Sequence, residues 1–85
     1  MLKVEWTEKA VADLGGLDRL IARRIVKKVT WFAKNFDSIT PEPLSGGLKD
    51  MFKLRVGDWR VVYQVEGEIA QIRFVGHRRN VYDIR

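Results

Sequence analysis

Residues 51–65, MFKLRVGDWRVVYQV, carry apolar side chains at every second position on both sides of a glycine–aspartate pair. Phe52, Leu54 and Val56 alternate with Lys53 and Arg55, and Trp59, Val61, Tyr63 and Val65 resume the alternation after Gly57-Asp58. A period of two puts such side chains on one face of an extended chain, and a glycine-containing pair between two such runs signals a β-hairpin. A two-residue turn then pairs Val56 with Trp59, Arg55 with Arg60, Leu54 with Val61 and Lys53 with Val62. Like charges directly opposite one another are destabilising, so the Arg55/Arg60 pair asks for an explanation.

Downstream, Glu66-Gly67 reads as a second turn into EIAQIRFVG, whose Ala70, Ile72 and Phe74 continue the apolar face. That register sets Arg73 opposite Arg60. Three arginines would then form a row across three strands, with Lys53 beside them and no acidic residue at the intervening same-face positions. Upstream, DSITPEPLSGGLKD (37–50) holds both prolines and reads as a loop. Before it, RLIARRIVKKVTWFAKNF (19–36) repeats Ile21, Ile25, Val29, Phe32 and Phe36 at helical spacing in line with Leu17, with Asp18 placed to cap it. Its other face carries Arg23, Arg24, Lys27, Lys28 and Lys34, which reads first as a solvated surface. A shorter helix over EKAVADL (8–14) is capped by Thr7 and broken by Gly15-Gly16, and LKVEW (2–6) has strand alternation. The order β-α-α-β-β-β predicts an α+β fold: an N-terminal strand, two helices, then an antiparallel three-stranded meander, with the helices packed on one face of the sheet.

Eighty-five residues fit a single domain, 1–85, and 46% hydrophobic residues are ample for its core. The absence of cysteine excludes disulfides and thiolate metal sites, and one histidine leaves little for zinc, so neither cofactor nor metal is expected. No signal-peptide core or membrane span is visible, which points to a soluble cytoplasmic protein. The net charge of +5 is split nearly evenly between the two halves and points to an anionic partner.

Arginine forks match phosphate oxygens bidentately, so the arginine row reads as a phosphate cradle. The chain then ends VGHRRNVYDIR, where Gly76 can bend the strand and bring His77, Arg78 and Tyr82 to the same face. Guanidinium groups favour a phenolate, and an arginine or protonated imidazole can stabilise a leaving oxygen. Those are the parts needed to cleave RNA by its own 2′-hydroxyl.

The segments LSGGLKDMFKLRVGDWRVVYQV and IRFVGHRRNVY resemble the RelE/ParE toxin superfamily, specifically the RelE-type mRNA interferases of toxin–antitoxin systems. The resemblance covers nearly the whole chain. It implies a type II toxin acting as a ribosome-dependent endoribonuclease, which cuts mRNA in the A site by metal-independent 2′-hydroxyl attack and is neutralised by a RelB-like antitoxin. By position it makes Lys53 and Arg55 the basic pair of the central strand and Arg60 the arginine that holds the scissile phosphate. Arg78 becomes the arginine after the final strand and Tyr82 the general base. His77 stands where other members have lysine, and Arg73 joins the phosphate-binding set through the cross-strand row. The superfamily also holds ParE-like toxins, which poison DNA gyrase, and a non-catalytic RNA- or antitoxin-binding module is a third class.

Overall fold

The structure is a computed structural model that describes residues 1–44 and 50–81. Its elements are β1 (Lys3–Trp6), α1 (Glu8–Gly15), α2 (Arg19–Lys34), a 3₁₀ turn at Phe36–Ser38, β2 (Glu42–Pro43), β3 (Phe52–Val56), β4 (Trp59–Glu66) and β5 (Ile69–His77). The described strands form one sheet in the order β1-β5-β4-β3-β2. The expected meander is its centre. β1 joins it in parallel beside β5, with Lys3 opposite Ile69 and Trp6 opposite Ile72, which makes the sheet mixed. No helix among the described residues is long and apolar enough to cross a membrane.

Both helix caps are those the sequence predicts. The Thr7 hydroxyl accepts from the Ala10 amide at 3.1 Å, and Asp18 accepts from the Leu20 amide at 3.0 Å. Ile25, Val29 and Phe32 of α2 are buried against Val61, Tyr63 and Ile72 of the sheet, with Ala10 of α1 and Leu2 completing that core. The Phe32 ring meets Tyr63 at 4.7 Å between centroids, and each such large buried side chain contributes about 1.5 to 3 kcal/mol.

The hairpin register is also as expected, from Val56 opposite Trp59 to Lys53 opposite Val62. Gly57 has φ +59° at the first central position of its turn, the requirement of a type II′ connection. Three expectations need correction. The segment 37–50 is not loop throughout: Glu42 pairs with Lys53 and Pro43 with Phe52 as a short edge strand, where proline is tolerated because no ladder donor is required of it. The second turn falls at Gly67-Glu68, because Glu66 pairs with Ile69 and Gly67 takes the positive φ, +61°. Lastly, β5 carries a bulge opposite Val62 and Tyr63: Tyr63 pairs with Ile72 but Val62 pairs with Phe74, leaving Arg73 as the extra residue.

The bulge reverses the facing of everything after it. Ile72 and Val75 pack toward the helices, whereas Phe74, expected beside Ala70 and Ile72, packs on the opposite face. It also frees backbone groups from the ladder, and α1 satisfies them. The Thr7 hydroxyl donates to the Arg73 carbonyl at 2.8 Å, and the Asp13 carboxylate accepts the Val75 amide at 2.9 Å. Asp13→Ala strands that amide and is expected to cost about 1 to 3 kcal/mol, of which the exposed Lys9–Asp13 pair supplies at most a few tenths. Asp13→Asn keeps an acceptor and should recover most of the loss in urea denaturation.

Candidate functional site

The candidate site lies on the sheet face turned away from the helices. Lys53 and Arg55 reach it from β3 and Arg60 from β4, since each alternates with residues of the helix-side core, and Arg73 joins them from the bulge of β5, where it bonds Gln71. Arg55 and Arg60 stand directly opposite each other, and they avoid repulsion by turning in opposite directions. Arg55 holds Glu42 with both arms of its fork, Nε to Oε2 at 3.2 Å and Nη2 to Oε1 at 2.8 Å. Arg60 curls toward the hairpin turn, where Nη1 donates to the carbonyls of Gly57 and Trp59, each at 2.9 Å.

The expected arginine row is not formed. Arg60 faces Gly76, not Arg73. Moving the second turn by one residue slides the β4–β5 register by two, and the bulge adds one more. Arg73 instead donates through Nη1 to the Gln71 side chain at 2.8 Å. The expectation of a face without acidic residues is likewise corrected by β2, which brings Glu42 against Arg55 and to 4.0 Å from the Lys53 ammonium. Lys53 is largely buried, with 11% of its side chain exposed.

His77 does not join this face. Its ring meets Trp59 edge-on at 5.3 Å, and Trp59 packs with the helix-side core. The cause is register, because His77 pairs with Trp59, and paired residues share a face. The Arg79 amide donates to its Nδ1 at 3.3 Å. Gly76 itself pairs regularly with Arg60, so the bend attributed to it belongs to the bulge three residues earlier.

The tail nevertheless reaches the face. The amides of Asn80 and Val81 both donate to the His77 carbonyl, at 2.8 and 3.0 Å, closing a single helical turn after β5. That turn swings Val81 over Gly76 and buries it completely with Val62, Phe74 and Leu44, while Met51 packs alongside. This second apolar cluster escaped the sequence reading. Its signal was present in the doublets Val61-Val62 and Phe74-Val75, since consecutive apolar residues in a strand mark burial on both faces. Tyr82 lies outside the described residues. Arg78 is exposed at the hairpin turn, where its amide donates to the Asp58 carbonyl at 2.7 Å and its Nε stands 3.6 Å from the Asp58 carboxylate.

Among the described residues, Arg60 therefore keeps Nε and Nη2 for an incoming anion, and Arg73 the donors not used on Gln71. An anion would have to compete with Glu42 for Arg55. Burial first, and Glu42 second, push the Tyr63 phenol up to about 12, so Tyr63 stays neutral and is no proton acceptor at physiological pH. Among the described residues no group of three His, Asp or Glu side chains is placed to hold a metal.

The sequence of residues 4–82 matches the profile of the ParE toxin of type II toxin–antitoxin systems, parDE. The chain belongs to this toxin family. Structural likeness extends across the RelE/ParE superfamily. A chain of the RelBE2 toxin–antitoxin complex of Mycobacterium tuberculosis superposes with a TM-score of 0.79 at 25% identity, covering 91% of this chain and 98% of that one. The isolated Escherichia coli RelE toxin gives 0.73 at 21% identity over 91% and 84%. A chain of the chromosomal ParDE system of Pseudomonas aeruginosa gives 0.72 at 20% identity over 91% and 96%. No curated protein sequence matches the chain. The fold of this toxin is thus shared by proteins bearing both RelE and ParE names, and a shared fold does not decide between activities.

Proposed function

We propose that this toxin is an endoribonuclease that cuts mRNA in the ribosomal A site and is held inactive by an antitoxin of the RelB kind. The observation that carries this reading is Arg60, central on the open face with two unused donor positions, beside a tail that folds back over the same face up to Val81. In the reaction, the 2′-oxygen attacks the adjacent phosphorus and the bond to the 5′-oxygen breaks, leaving a 2′,3′-cyclic phosphate and a 5′-hydroxyl. Arg60 and Arg73 stabilise the charge that gathers on the phosphorane oxygens, with Lys53 and Arg55 adding positive potential. Tyr82, as the phenolate, takes the 2′-proton, Arg78 stabilises the charge on the departing 5′-oxygen, and that oxygen is protonated by water. His77, whose ring lies against Trp59, has no part in this scheme, and His77→Gln is expected to cleave at the wild-type rate.

A second reading, inhibition of DNA gyrase, is favoured by the ParE family match and by the pairing of Arg55 with Glu42, which takes one cation from the phosphate set. Purified toxin added to translating ribosomes, with mapping of mRNA 5′ ends, separates the two when run beside a gyrase supercoiling assay. New ends within A-site codons support the nuclease. Blocked supercoiling with intact mRNA overturns it.

A further inference from the structure

The far end of the open face holds a cleft of a different character from the arginine end. Gln64 follows Arg60 by four residues on β4, about 13 Å along the strand, with the Val62–Phe74 pair between them. Register aligns Gln64 with Gln71 of β5 and Glu5 of β1, and in the next row Glu66 with Ile69 and Lys3. Paired residues share a face, so both rows stand on the side of Arg60. They floor a cleft of about 900 Å³, which the turn at Gly67-Glu68 also lines. That volume lies within the roughly 300 to 1,000 Å³ of small-ligand sites. Its described lining carries four carboxylates and one ammonium, that of Lys3, in a chain whose net charge is +5. The Gln71 amide has a fixed orientation: Oε1 accepts from Arg73, which leaves the Nε2 hydrogens for a ligand. Among the described residues, the Gln64 side chain has no hydrogen-bond partner, and Glu5, Glu66 and Glu68 have no cation partner.

We infer that this cleft takes the base of a nucleotide flanking the scissile one, and that it selects bases carrying an exocyclic amine over uracil. The inference rests on the nuclease reading for bringing RNA to the face, and it goes beyond that reading by naming residues that set sequence preference. Carboxylates only accept hydrogen bonds, and an exocyclic amine brings two donors to Glu5 and its neighbours. Uracil brings one N–H set between two carbonyl oxygens, whose negative ends the carboxylates repel. The Nε2 hydrogens of Gln71 then donate to a ring nitrogen beside the amine, and Ile69 lies against the flat of the base. The same carboxylates keep phosphate out of the cleft. The backbone therefore runs along its rim, where Arg73 has donors beyond the one used on Gln71.

Single-stranded oligonucleotides of deoxyadenosine and of deoxyuridine lack the 2′-hydroxyl and cannot be cut by its attack, so they report binding alone. Each is titrated into the ¹⁵N-labelled full chain. The deoxyadenosine strand is expected to move the side-chain amide signals of Gln64 and Gln71 and to bind about tenfold more tightly than the deoxyuridine strand. Glu5→Gln, an exposed change on the edge strand β1, should reduce that ratio to about twofold or less, with circular dichroism confirming the fold. Equal affinities, unmoved Gln64 and Gln71 signals, or an unchanged ratio in Glu5→Gln would each overturn the proposal. So would a lysine-rich peptide that moves those signals where neither strand does, since the cleft would then seat a cationic segment. Selective binding by a protein that leaves mRNA intact on ribosomes would remove the nuclease reading and keep the base site. Cleaved mRNA with no base selectivity in binding would remove the base site alone.

Discussion

Arg60→Ala is expected to slow mRNA cleavage by on the order of a hundredfold or more, the usual cost of removing one preorganised charge donor from a transition state. The fold should survive. The side chain's bonds are to two carbonyls of an exposed turn, at a site where such bonds are worth about 1 kcal/mol or less, and the turn is held independently by the β3–β4 ladder. Single-turnover cleavage on stalled ribosomes, at equal concentrations of soluble protein, measures the effect. Wild-type cleavage by the variant would remove Arg60 from the phosphate site and with it the main support for the nuclease reading. Arg55→Ala tests a graded version, because Arg55 is already held by Glu42 and its loss should matter less than that of Arg60.

Val81→Asp is the second large effect. Val81 is completely buried with Val62, Phe74 and Leu44, an apolar surrounding that solvates an ionised carboxylate poorly. Burying it would cost several kcal/mol, whereas docking the valine yields about 1.5 to 3 kcal/mol, so the tail should detach instead of carrying the charge inside. Detachment leaves the larger helix-side core intact. The expected result is loss of amide-exchange protection at Asn80 and Val81, whose bonds to the His77 carbonyl close the tail turn, with protection retained in the sheet. If Tyr82 is the base, cleavage falls with it, by about 10²- to 10⁴-fold, the contribution of a positioned proton acceptor. Tyr82→Phe should match that loss without the exchange signature. Released amides with undiminished cleavage would show that the tail is not part of the catalytic apparatus.

The sequence reading succeeded mainly where structure is set by neighbours along the chain. The β3–β4 register follows from alternation and a glycine-first turn, and the Thr7 and Asp18 caps follow from local hydrogen bonding. The second turn was equally legible by the same rule: with Gly67 first, as Gly57 is first, the turn falls at Gly67-Glu68. What the chain does not write locally is the bulge. Its freed groups are satisfied by Thr7 and Asp13, more than sixty residues away in sequence, so the choice between an even strand and a bulged one is made by α1. Everything missed at the site descends from that choice, from the displaced second turn or from β2: Arg73 out of line with Arg60, Phe74 turned outward, His77 turned inward and Glu42 beside Arg55. Family membership survived these errors because it rests on the pattern of elements, whereas the assignment of catalytic partners rests on facing, which one inserted residue reverses.

The parallel seat of β1 beside β5 also governs when the sheet can be completed. Among the described strands β1 has β5 as its only sheet neighbour, and the Thr7 hydroxyl that caps α1 also spans to Arg73, 66 positions on. Contacts of that sequence separation form late and slowly, because the intervening chain must be closed before they yield anything. The nascent chain can build its helices and its central hairpin, but it cannot assemble the open face until β5 has emerged and been captured at its edge. Completion of the sheet is thereby a late and concerted step, taken when β5 docks between β4 and β1.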